Sequence, residues 1–263
     1  MVQVTPTNRR DLLRAGAAFT AVGAFVTGCG NTGTATAAPP PTTPTTPTTP
    51  TTPAPTSPPA SPERLPSQIT HGPRAAASVA LTFHGQGDPA LADQLLSTAE
   101  RHGAHLTVLA VGSWLDAYPA MARRILDGGH DLGNHTQRHI SINAMAEADA
   151  RKEITDCAER LKRLTGSIGR WFRPSRAPTA SPLVARLAAE AGYPHVLSYD
   201  VDSLDYTRPG APAITRKVLA EVTGGSVVSM HFGYPDTVAA LPAVLQELDR
   251  RGLRAVTTTE LFS

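Results

Sequence analysis

The chain has 263 residues, with 24 Lys plus Arg against 22 Asp plus Glu, a formal net charge of +2 and 41% hydrophobic residues. The excess positive charge sits in Arg9, Arg10 and Arg14 against Asp11; the neutral remainder has no Lys/Arg run, which argues against nucleic acid as a partner. Two cysteines, Cys29 and Cys157, make no disulfide framework, and with no His-paired motif around it Cys157 reads as a small apolar residue on a helix.

In chain order, the arginine pair before the apolar run Ala15 to Gly28 predicts an export signal over residues 1–28, because that run is too short and too rich in Gly and Ala to span a bilayer. The pair resembles a twin-arginine signal, and Val26-Thr27-Gly28-Cys29 resembles a bacterial lipobox, which implies cleavage before Cys29 and its lipidation. The expected location is the outer face of the cytoplasmic membrane or the cell wall, with the lipid as the only membrane contact. Residues 29–65 are dominated by Thr, Pro, Ala and Ser and have no apolar face, so they are expected to be a disordered linker. About 30 such residues in the extended polyproline conformation reach on the order of 100 Å.

Residues 66–263 alternate short β-rich runs with segments of helical spacing. Strands are predicted at Val79 to Phe83, Leu106 to Val111, His130 to Asn134, Trp171 to Pro174, His195 to Tyr199, Ser226 to His231 and Leu253 to Thr257. Helices are predicted at Pro89 to His102, Tyr118 to Asp127, Asn143 to Leu164, Ser181 to Ala191, Pro212 to Val222 and Pro235 to Arg251, several opening on Pro and closing on Gly. Such alternation means an α/β fold with a parallel sheet, open or closed into a barrel. His84, His135, Arg173, Asp202, Asp205 and His231 all fall at or just after strand C-termini, the face on which a parallel barrel builds its active site.

His135 and His139 are four residues apart, a spacing that puts two imidazoles on one face of a helical turn, as two ligands of a divalent metal require. With the preceding Gly133-Asn134 they resemble the second motif of the polysaccharide deacetylase family, the NodB-homology fold. Phe172-Arg173-Pro174, Asp202-Ser203-Leu204-Asp205-Tyr206 and Val228-Ser229-Met230-His231 resemble the third, fourth and fifth motifs in order. The resemblance implies a distorted (β/α)7 barrel, an arginine (Arg173) that orients the catalytic carboxylate, an Asp205 that tunes the catalytic histidine, and a His231 that acts as general acid.

The first motif departs. The family has Thr-Phe-Asp-Asp-Gly, whose first Asp is the general base and second a metal ligand; here Thr82-Phe83 is followed by His84-Gly85-Gln86-Gly87-Asp88. His84 could act as base, or complete a three-histidine site; Asp88 could fold back across the two glycines as a ligand or a partner for Arg173, or simply cap the next helix. The expected activity is metal-dependent removal of N-acetyl groups from an envelope polysaccharide, peptidoglycan or another glycan, by a monomer using zinc, cobalt or another divalent ion. The backbone amide of Ser175 is expected to stabilise the oxyanion, and Tyr206 to line the sugar groove, as is Trp114 unless it packs. The alternatives are a catalytically impaired carbohydrate-binding derivative of the fold or an O-acetyl esterase.

Overall fold

The computed structural model describes residues 65–263. The expected export signal, Cys29 and almost all of the linker lie outside the described residues.

Elements follow in the order β1 (Gln68–Ile69), β2 (Ser78–Gly85), α1 (Pro89–Arg101), β3 (Thr107–Ala110), α2 (Gly112–Ala117), α3 (Ala120–Asp127), β4 (Asp131–Asn134), α4 (Glu147–Thr165), α5 (Pro182–Glu190), β5 (Val196–Leu197), β6 (Val201–Asp202), α6 (Ala211–Glu221), β7 (Val227–His231), α7 (Pro235–Arg250), β8 (Arg254–Val256) and α8 (Thr258–Leu261). The strands run β4-β3-β2-β7-β6, all parallel, with β8 beside the start of β2. Beyond β4 the sheet continues through Phe172 alone, which bridges Asn134 and Val196, to β5 and then β1. Between β1 and β7 only an antiparallel bridge, His71 to Ser226, joins the edges. Residues 65–263 form a distorted α/β barrel, as expected.

The strand expected at Trp171 to Pro174 shrinks to that one bridging residue; Pro174 has no N–H to extend a ladder. Where only a loop was expected, Gly112–Ala117 forms a helix.

The alternation along β2 explains how the barrel presents chemistry. Val79, Leu81 and Phe83 pack outward in one cluster with Leu95 and Leu96 of α1 and Leu241 and Val244 of α7, while Ala80 joins Leu109, Trp171, Leu197 and Val227 in a separate inner cluster. Continuing inward, Thr82 is reached by the Arg173 guanidinium (2.9 Å), and His84 is the last inward residue of the strand. The lumen is thus apolar at its base, polar at mid-height and lined by imidazole at its carboxyl end.

Candidate metal centre and cleft

The carboxyl-terminal ends of β2 and β7, which carry His84 and His231, and the loop after β4, which carries His135 and His139, bring the four histidines together. The His84 ring lies 4.4 Å from His135, 4.2 Å from His231 and 6.4 Å from His139, centroid to centroid. One ligand atom from each of His84, His135 and His139 lies within 4.8 Å of the others, the only such group of His, Cys, Asp and Glu among the described residues.

The hydrogen bond of His135 assigns its tautomer. His135 Nδ1–H donates to the Arg173 carbonyl (3.0 Å), so its Nε2 carries the lone pair, and that atom is buried without a partner. His84 Nε2 is hydrogen bonded to Ser229 Oγ (3.2 Å), and its Nδ1 is likewise buried without a partner. Two orphaned nitrogens beside a third imidazole are what a divalent metal satisfies, and hydrogen bonds from the opposite ring nitrogens are how proteins orient such ligands. The residues present fit the metal. Burial, and then the neighbouring imidazoles and Arg173, hold His84 well below the usual histidine range. Burial first, then His139, does the same for His135, and His139 is lowered to about 4 by burial, Arg176 and His231. All three are neutral near pH 7, the form that binds metal.

The loop carrying His139 is braced from below. Thr136 N–H donates to Asn134 Oδ1 (2.8 Å), and Thr136 Oγ1 accepts from His139 N–H and donates to Ser175 Oγ. The buried Glu153 of α4 takes Arg138 N–H and the Arg138 guanidinium, and its own carbonyl accepts from Gln137 N–H. All five non-glycine residues with positive φ among the described residues, Thr136, His139, Arg176, Leu204 and Arg208, sit in the loops around the cleft. Left-handed backbone costs such residues on the order of 1 kcal/mol or more, and strain of this kind gathers at functional sites.

His231 has a separate support. Asp205 is fully buried, accepts from His231 N–H (2.8 Å) and Nδ1–H (2.6 Å), and takes the Thr237 hydroxyl. That leaves His231 Nε2 toward a cleft of about 400 Å³ lined also by His84, His139, Arg176, Tyr199, Tyr206 and Tyr234. Tyr206 is 47% exposed, with its ring 5.4 Å from that of His231, as a groove residue should be.

Several expectations need correction. Asp88 does not reach the cluster: it is the N-cap of α1, accepting from Ala90 N–H (2.8 Å), because Gly87 (φ 109°) turns the chain away and packs on Gly233. Trp114 takes the packed alternative, in line with expectation, donating its indole N–H to Gly87 O (2.8 Å). Arg173 orients no carboxylate; its guanidinium donates to the carbonyls of Leu197 and Ser198 and to Thr82 Oγ1, with Nη1 unpartnered, and burial pushes it down to about 10. The Ser175 side chain is buried and donates to the Ile140 carbonyl, so it braces the histidine loop; that contact involves the hydroxyl and leaves free the backbone amide, the group expected at the oxyanion. Cys157 is buried and pushed up to about 12 by desolvation, the inert thiol the sequence suggests. Glu153, Thr136 and Ser229 were missed as supports.

A distorted parallel barrel with a histidine-lined cleft at its carboxyl end defines the class: an α/β barrel that carries a candidate three-histidine metal centre. Residues 71–196 match the polysaccharide deacetylase family. Over 188 residues the chain is 31% identical to a peptidoglycan-N-acetylglucosamine deacetylase of Bacillus cereus, covering 70% of this chain and 87% of that one. It is 30% identical to a chitooligosaccharide deacetylase of Sinorhizobium fredii, covering 67% and 88%. A solved CE4 family pseudoenzyme from Bacillus anthracis shares the fold, with TM-score 0.72, 22% identity and coverage of 76% and 70%. The chain belongs to the polysaccharide deacetylase family, and the enzymes it matches in sequence are deacetylases, hydrolases of non-peptide carbon–nitrogen bonds.

Proposed function

We propose that the protein is an exported, metal-dependent deacetylase of an envelope glycan, peptidoglycan above all, anchored through a lipid on Cys29. The observation that carries the reading is the pair of orphaned nitrogens, His84 Nδ1 and His135 Nε2, beside His139. A divalent ion there, zinc in the first instance, supplies a Lewis acid for the acetamido carbonyl and acidifies water near neutral pH. His84, His135 and His139 hold it as neutral imidazoles. With both His84 nitrogens engaged, one by the ion and one by Ser229, His84 is a ligand and not the base. His231, fixed by Asp205, then has both proton-transfer roles: its Nε2 takes the proton of the attacking water and returns it to the departing amine. The buried Arg173 beneath His84 adds fixed positive charge under the site where the oxyanion forms.

Replacement of both first-motif carboxylates, together with the likeness to a family member described as a pseudoenzyme, favours a second reading: a barrel that binds glycan without cleaving it. Acetate release by the full chain from N-acetylated glycan, with zinc, with cobalt and after chelation, tests the two. Metal-dependent release supports the deacetylase; stoichiometric metal with no release from amide or ester substrates refutes it in favour of the binding protein.

A further inference from the structure

One feature of the cleft is not used by the chemistry above. Arg176 lines the cleft with His84, His139 and His231, is exposed to solvent, and sits at φ 55°. The chain on either side is fastened: Ser175 is buried and bonded to Thr136 and Ile140, and the Pro178 carbonyl accepts the Ser198 hydroxyl. Arg208, at φ 57°, is outside the set of lining residues but has its guanidinium 5.8 Å from the ring centroid of Tyr234, which does line the cleft. Neither arginine forms an ion pair among the described residues, whereas Arg124, Arg138, Arg151 and Arg186 each hold a carboxylate. Of the acids nearby, Asp205 is held by His231 and Thr237, while Asp202 lines the cleft itself, its Oδ1 accepting from Leu204 N–H, and is the carboxylate that an anion bound there would have to stand away from.

A left-handed position suits Gly or Asn; an arginine held there by its neighbours is strain retained at a binding cleft. Guanidinium matches carboxylate in geometry and charge better than any other side chain. We propose that Arg176, with Arg208 as the second cation, forms an anion subsite that takes a carboxylate carried by the glycan beside the acetamido group under attack. The substrate class is then an acidic N-acetylated glycan, bearing a lactyl ether or a uronic acid, rather than a neutral one. The inference rests on the cleft being a glycan site, as proposed above, but not on hydrolysis.

Calorimetry on the zinc-loaded full chain tests it. The probes are a disaccharide of N-acetylglucosamine and N-acetylmuramic acid with its lactyl carboxylate free, the same disaccharide as the methyl ester, and a hyaluronan tetrasaccharide, whose acid is uronic. At low salt the free acid is expected to bind about tenfold more tightly than its ester, with the margin shrinking at high salt. Arg176→Gly, which removes the guanidinium and relieves the backbone, is expected to erase that margin without lowering the thermal midpoint; Arg208→Ala narrows it. Tighter binding of one acidic probe than the other names the carboxylate source. Equal affinity for acid and ester, an unchanged margin in Arg176→Gly, or no binding of any probe overturns the proposal. Acetate release followed in parallel separates the two readings: a charge preference without release leaves the subsite standing and sinks the deacetylase, and release with no charge preference does the reverse.

Discussion

Restoring the family's second carboxylate by Gly85→Asp is expected to damage this protein rather than repair it. Gly85 lies in the β2–β3 ladder, paired with Ala110, and its carbonyl accepts from Val111 N–H. Because His84 points into the lumen, the next residue points outward, and a Cβ there would stand 2.8 Å from Val108 Cγ1 and 3.0 Å from Ala110 Cα, with the Leu109 carbonyl at 3.3 Å. Val108 and Ala110 belong to the outer apolar cluster, so the new carboxylate would enter a packed apolar layer beside a carbonyl and away from the histidines. Overpacking costs roughly 1–3 kcal/mol, and a buried unpaired carboxylate adds several more. A total of about 4 kcal/mol would lower the thermal midpoint by on the order of 10 °C in a domain of this size. Differential scanning calorimetry with and without zinc is the assay. A variant as stable as the parent and tighter for zinc would refute the reasoning, showing that the strand end can turn this residue inward.

Other outcomes follow from the same geometry. Ser229→Ala removes the partner of His84 Nε2 and is expected to weaken zinc binding roughly 10–100-fold, measured by competition with a chromogenic chelator. Glu153→Ala leaves Arg138 N–H without its acceptor and should cost about 2–3 kcal/mol in urea unfolding while loosening the metal through the His139 loop; unchanged stability and affinity would contradict it. Asp205→Asn is expected to lower kcat roughly 100-fold or more with KM little changed, because His231 loses its fixed tautomer. The metal-free protein should lose stability as pH falls. Burial holds His84, His135 and His139 below the ordinary value of about 6.5, so the unfolded chain binds more protons below that pH. The loss begins near 6.5 and, for His139, continues to about 4; a flat profile in urea titrations would contradict it.

Much of this was legible in the sequence, for identifiable reasons. Prolines and glycines at the helix ends punctuate α1, α5 and α7 through local chemistry that context does not override, and their bounds fall within two residues of expectation. His135, His139, Asp205 and His231 could be read because they ride on ordered motifs. The short strands were harder. Phe172 pairs through one residue on each side, and so little pairing leaves no periodicity to detect. Asp88 was ambiguous because capping and metal ligation ask for the same side chain; only the course of the Gly87 turn separates them. Glu153 left a signal that could have been used: it lies on the buried stripe of Ala150, Ile154, Cys157 and Leu161, where a carboxylate needs a reason. Ser229 and Arg176 left none, since their roles depend on which loops meet above the barrel.

His84 stands in this protein as the third ligand of the proposed three-histidine metal centre. Cobalt(II) absorption spectroscopy of the full chain, titrated to saturation, tests it most directly. One cobalt per chain is expected, with ligand-field bands lost or displaced in His84→Ala, His135→Ala and His139→Ala and preserved in Asp88→Ala. Bands and affinity unchanged in His84→Ala, or lost in Asp88→Ala, would contradict it.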